Sequence, residues 1–153
     1  THPSDPQKGL FDPIEGVKVD QLIADGETLK IGGQMLTAIS TPGHSPGGTS
    51  WRWQSCDKGR CVNIVYADSL SAVSADHYRF SDHPEYVVPL RATLSKVAAF
   101  KPCDLLITPD PSASALFERL AGEEPLIDTK ACANYAAGAL TRLENRLAKE
   151  ATK

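Results

Sequence analysis

Thr41-Pro42-Gly43-His44-Ser45-Pro46-Gly47-Gly48 follows a run of strand-forming residues and breaks it with two prolines and three glycines. Proline fixes φ and removes a donor, and glycine lets backbone or ligand approach closely. The stretch therefore reads as a tight turn at a strand end, with one imidazole at its tip. That placement suits a metal ligand, because ligand geometry has to be held on a rigid frame. It also suits a turn whose histidine is merely exposed, and a lone histidine does not decide between the two.

Outward from this turn the pattern is first β, then helical. Val17 and Val19 alternate, Asp25-Gly26 marks a turn, and Thr28–Ile31 and Met35–Ser40 flank Gly32-Gly33 as a hairpin. Trp51 and Trp53 alternate on the next strand, where aromatics pack on a sheet face or in the core, and 62–66 is β-branched. From residue 81 the period changes. Tyr86, Leu90, Leu94 and Val97 fall at helical spacing, with Asp82 and Glu85 as a capping pair and Pro89 early in the helix or kinking it. Leu105–Thr108 reads as a short buried strand, 112–120 as a short helix, and 132–149 as a last helix with Tyr135, Ala139, Leu143 and Leu147 inward. Its Arg142, Arg146 and Lys149 read as a solvated face. Residues 1–16, with His2-Pro3, Asp5-Pro6 and Asp12-Pro13, read as an irregular lead-in. Strands, helix, strand and helices in this order predict an α/β fold in one domain over 1–153.

The chain has 153 residues, enough to bury a real core. Sixteen basic against 19 acidic residues, a net charge of -3 and no basic cluster argue against nucleic acid or an anionic membrane as partner. No apolar run is long enough to span a bilayer, and residues 1–7 lack the apolar segment of a signal peptide. The four cysteines include no C-x-x-C pair, and their even number favours two disulfides formed in an oxidising compartment.

TPGHSPGGTSW, from Thr41 to Trp51, resembles the third-histidine turn of the metallo-β-lactamase superfamily. NIVYADSLSAVSAD (63–76) and PCDLLITP (102–109) point to its subclass B3, and the resemblance runs from about Asp5 to Lys149. It implies the C-terminal part of a four-layer αββα sandwich, N-terminally incomplete, in a periplasmic or secreted hydrolase that opens the β-lactam ring and confers antibiotic resistance. It further implies disulfides Cys103–Cys132 and Cys56–Cys61, two Zn²⁺ ions holding an activated water, His44 on the first zinc, and Ser69 and Ser71 holding water and the substrate carboxylate. From the residues alone both serines are loop serines, and neither has a base spaced to make it a nucleophile.

Two departures stand beside the matches. The family's upstream H-x-H-x-D-H motif is absent, since His2, His44, His77 and His83 are the only histidines. Asp110 stands where the family's pattern places a zinc-binding histidine; it fits a carboxylate ligand or a cap ahead of Ser112. Asp68 reads as an orienting neighbour, against the metal-bridging acid of related thioester hydrolases, and His77 and His83 as surface or capping residues. The resulting expectation is a C-terminal fragment, inactive as it stands. Two alternatives remain: another hydrolase of the fold acting on thioesters or lactones, and a non-catalytic half-domain that pairs with its missing part or with itself.

Overall fold

The structure, a computed structural model, describes residues 5–10 and 15–152; His2-Pro3 and Asp12-Pro13 of the lead-in lie outside them. Strands β1 (Thr28–Ile31) and β2 (Gln34–Ser40) form the expected hairpin. Gly32 and Gly33 both hold positive φ, 53° and 87°, the backbone that a two-residue hairpin turn requires. Strands β3 (Thr49–Asp57) and β4 (Arg60–Tyr66) make a second hairpin around Lys58-Gly59. Strand β5 (Leu105–Ile107) lies parallel to β4, and the sheet order is β1-β2-β3-β4-β5. A parallel neighbour requires a crossover, and helix α1 (Pro84–Ala98) lies in that connection.

Strand register divides the sheet into two faces. Thr37, Arg52, Val65 and Leu106 are register neighbours on one face. Val65 and Leu106 join the core made by Leu90, Leu94 and Val97 of α1 and Cys132, Tyr135, Ala139 and Leu143 of α3 (Ala131–Ala151). Trp51, Tyr66 and Ile107 occupy the opposite face with Trp53, Ile64 and Leu105, and all six are half-buried. No helix among the described residues packs on that face. The α/β fold thus consists here of one sheet with its helices on one side.

Several elements differ from expectation. Val17 and Val19 are exposed coil, 84% and 63% accessible, and no strand among the described residues pairs with them. Helix α1 begins after His83, which makes no side-chain cap; Asp82 lies in a preceding 3₁₀ turn, and the Glu85 carboxylate accepts from His83 Nδ1 at 2.8 Å. Pro84 takes the first position, where its missing N–H costs nothing, and Pro89 sits inside the helix. The helix expected over 112–120 is a 3₁₀ turn, Pro111–Ser114, and helix α2, Leu116–Ala121, separated by Ala115 at φ 50°. Arg146 is only partly solvated. It donates to Glu150 (2.5 Å), Ser74 Oγ (3.1 Å) and the Tyr78 carbonyl (3.0 Å), closing the long 67–79 loop onto α3.

Both cysteine pairings occur. Cys56–Cys61 staples the exposed tip of the β3–β4 hairpin, where the two residues are directly opposed. Cys103–Cys132 joins the entry to β5 with the start of α3, and both residues are buried in the core.

Candidate functional site

The His44 turn is held by its own backbone. Thr41 N–H donates to the Gly48 carbonyl (2.8 Å), and the amides of Gly43 and Gly48 both donate to the Ser45 carbonyl (3.1 and 3.2 Å). Two of its glycines are required by close approach. A Cβ on Gly43 would meet Leu90 Cδ1 at 2.6 Å, and one on Gly48 would meet the Thr41 carbonyl oxygen at 2.5 Å. Below the turn, buried Thr41 and Ser50 share a hydroxyl hydrogen bond of 2.9 Å.

His44 Nδ1 lies 2.8 Å from the Ser71 carbonyl oxygen. A carbonyl only accepts, so Nδ1 carries the proton and the neutral ring keeps its lone pair on Nε2. That is the second-partner arrangement by which a metal-binding imidazole has its tautomer and orientation fixed. Nε2 faces the side-chain amide of Gln7 at 3.4 Å. Helix α1 reaches the same turn from beneath: Tyr86 donates to the His44 carbonyl (3.2 Å) and Thr93 to the Pro42 carbonyl (2.5 Å). Burial, with smaller contributions from Tyr78 and Asp5, pushes the Tyr86 phenol far above its ordinary pKa, so it stays a donor.

Asp68 offers little to a metal in this arrangement. Its Oδ2 accepts from Thr49 N–H (3.1 Å), its Oδ1 from Ser69 N–H (2.8 Å), and its own N–H donates to Ser50 Oγ (3.0 Å). Tyr135, whose phenol is pushed up chiefly by burial, donates to the Asp68 carbonyl at 3.3 Å. Ser69 Oγ accepts from Ser71 N–H at 3.3 Å, shaping the loop that presents the Ser71 carbonyl.

Asp110 caps the 3₁₀ turn after β5, accepting from Ser112 N–H (3.1 Å) and Ser112 Oγ (2.8 Å) through Oδ1. It lines a cleft of about 480 Å³ with Ser71, Asn134 and Arg142. His44 lines a different one, about 390 Å³, with Asp5, Gln7, Tyr78 and Tyr86. Among the described residues no three His, Cys, Asp or Glu side chains come together to hold a metal ion. The described residues therefore do not fit a complete zinc site. His77 is exposed, and His83 stacks on Tyr78 with ring centroids 4.3 Å apart.

Sequence reasoning missed the partners of His44. Tyr86 and Leu90 carried a helical core signal, but nothing local in the sequence said that Tyr86 and Thr93 face residues 42–44. Gln7 and the Ser71 carbonyl carried no signal, since the one is remote and the other is backbone.

No protein-family model matches the chain. Among solved structures, the metallo-β-lactamase MIM-1 from Novosphingobium pentaromativorans is 47% identical, with a TM-score of 0.92, over 99% of this chain and 55% of its own. The metallo-β-lactamase SMB-1, bound to 2-mercaptoethanesulfonate, is 43% identical, with a TM-score of 0.90, over 98% of this chain and 60% of its own. A B3 metallo-β-lactamase described as having an active-site glutamic acid is 34% identical, with a TM-score of 0.83, over 98% of this chain and 55% of its own. The chain thus spans little more than half the length of these proteins.

Proposed function

Because the chain belongs to the metallo-β-lactamase superfamily and is similar to its subclass B3 members, we propose that it serves zinc-dependent hydrolysis of the β-lactam ring. The carrying observation is His44. Its Nδ1–H is committed to the Ser71 carbonyl, which leaves the Nε2 lone pair, with the Gln7 amide as its neighbour, on a rigid turn. A catalytic zinc takes three protein ligands plus water, and the described residues bring no such set together. On this reading the chain contributes at most two ligands and the remaining ones come from another polypeptide segment. Alone it hydrolyses no β-lactam.

Asp110 is the proposed second contributor. Its capping bonds use Oδ1, and a relative with an active-site glutamic acid gives precedent for a carboxylate in such a site. Ser69 and Ser71 are assigned to the substrate carboxylate, and Asp68 to holding β3 against the His44 turn. Two disulfides support assembly in an oxidising compartment, periplasmic or extracellular. Among the described residues no helix is long and apolar enough to cross a membrane.

The partner of the bare sheet face follows from the same reading. Trp51, Trp53, Ile64, Tyr66, Leu105 and Ile107 form an apolar face without one charge, which needs a cover. We assign that role to the complementary segment of the enzyme, with a second copy of this chain as the substitute when the segment is missing. The reading of 1–153 as one incomplete metallo-β-lactamase unit rests on this pairing.

The test is steady-state nitrocefin hydrolysis, with zinc or with a chelator. The isolated chain should show no turnover. Adding in trans a segment that carries H-x-H-x-D-H should restore zinc-dependent turnover, Asp110→His should raise it, and His44→Ala should abolish it. Chelator-insensitive turnover by the isolated chain sinks the zinc reading. A reconstituted enzyme indifferent to His44→Ala removes that histidine from the site.

A further inference from the structure

Three residues of α1 converge on three consecutive residues of the His44 turn. Thr93 Oγ1 donates to the Pro42 carbonyl at 2.5 Å, Leu90 fills the space beside Gly43, and Tyr86 Oη donates to the His44 carbonyl at 3.2 Å. Positions 86, 90 and 93 are spaced i, i+4, i+7, so they form one stripe on the helix. The stripe runs antiparallel to the turn segment, 93 over 42 and 86 over 44. Leu90 and Thr93 are fully buried, and Tyr86 is half-buried. Turn carbonyls lack partners in the strand ladder, and buried ones have to find donors elsewhere. Here both donors are side chains of the crossover helix.

We infer that Tyr86 and Thr93 are positioning residues for His44: they fix its backbone, while the Ser71 carbonyl fixes its ring. The inference deepens the reading of His44 as a metal ligand and rests on it for its purpose. Its geometry stands apart from it. The division of labour is physical. A carbonyl hydrogen bond at residue 44 sets where Cα sits, but not the side-chain torsions. The Nδ1–H bond to Ser71 sets the torsions, provided that Cα is already in place. Loss of either α1 hydroxyl should let the turn shift and lengthen the His44–Ser71 hydrogen bond without unfolding the helix. The burial of Leu90 against Gly43 would remain to hold the two elements together.

The experiment reads the His44 Nδ1–H proton by NMR on the full chain, with urea unfolding as control. Tyr86→Phe and Thr93→Val each delete one hydroxyl, and Thr93→Ser restores it. We expect hydrogen-exchange protection at His44 Nδ1 to fall about fivefold for each deleted bond, and to recover in Thr93→Ser. Backbone amides of β3 and β4 should keep their protection. Unchanged Nδ1–H protection in both deletions overturns the inference. So does a loss that is equal at every amide and follows the global stability, because that is a merely structural role. If Thr93→Val does not fold, Tyr86→Phe and Thr93→Ser still decide the matter. A separate Zn²⁺ titration of the unaltered chain supplied in trans with the H-x-H-x-D-H segment, read at His44 Nε2, tests the ligand reading. No response there defeats that reading and leaves the test of the α1 grip intact.

Discussion

Removing the Cys103–Cys132 bridge should cost more than removing Cys56–Cys61, and the structure gives the size of the gap. The first pair is separated by 29 residues and the second by 5. Cross-linking restricts the unfolded chain, and the restriction grows with the logarithm of the closed loop. That reasoning gives about 3.6 kcal/mol for the long loop and about 2.1 kcal/mol for the short one. Packing widens the difference. Cys103 and Cys132 are each 2% exposed, so replacing both with alanine also removes buried sulfur, whereas Cys56 and Cys61 lie at an exposed tip already held by strand register. For a domain of this length, 3.6 kcal/mol corresponds to a melting-temperature drop of about 7–14 °C. The assay is urea unfolding of the paired variants Cys103→Ala/Cys132→Ala and Cys56→Ala/Cys61→Ala, with stability extrapolated to water. The slope should rise more for the core variant, since its unfolded state expands more. A hairpin variant that loses as much stability as the core variant refutes the reasoning.

Further expectations can be checked alongside it. Gly43→Ala should destabilise by about 1–3 kcal/mol through overpacking against Leu90, and Gly48→Ala by at least as much, because its clash is with backbone; thermal melts decide this. Burial raises the Glu150 pKa, but the Ser81 and Phe80 amides and the Arg146 guanidinium outweigh it, so the carboxyl titrates below its ordinary 4.5. A lowered folded pKa means that the stabilisation is complete above about pH 4.5 and is lost as pH falls through the folded value. Glu150→Gln should therefore flatten the acid limb of the stability profile, and an unchanged limb would count against the Arg146–Glu150 pairing. The sheet face that carries Trp51 and Trp53 should drive self-association and hydrophobic-dye binding, both reduced by Trp53→Lys. A dye-free monomer by sedimentation would show that the face is not exposed as described.

Much of the fold was legible because its signals are local. Gly32-Gly33 between alternating strands specifies a two-residue turn through positive φ alone, and the stripe Leu90, Leu94, Val97 specifies a helix face through its period. The His44 turn was legible for the same reason: proline and glycine restrict their own residues. Local reasoning failed where tertiary context decided. Val17-Lys18-Val19 has strand composition but, among the described residues, no neighbouring strand to pair with, so it stays coil. Arg146 looked like one of several solvated cations, yet Ser74, Tyr78 and Glu150 meet around it across as many as 72 residues.

The site divides along the same line. The sequence by itself determined that His44 sits on a strand-end turn, and it offered a cap ahead of Ser112 as one of two readings of Asp110. Composition and local sterics suffice for each of these. Only the tertiary structure decided which nitrogen of His44 is presented, because that depends on a carbonyl 27 residues away. It alone placed Tyr86 and Thr93 under the turn, through a helix 42 and 51 residues downstream. It alone showed that Asp68 is engaged by backbone amides and that one sheet face is bare. Hydrogen bonds and face coverage join residues distant along the chain, and no local pattern records which distant groups will meet.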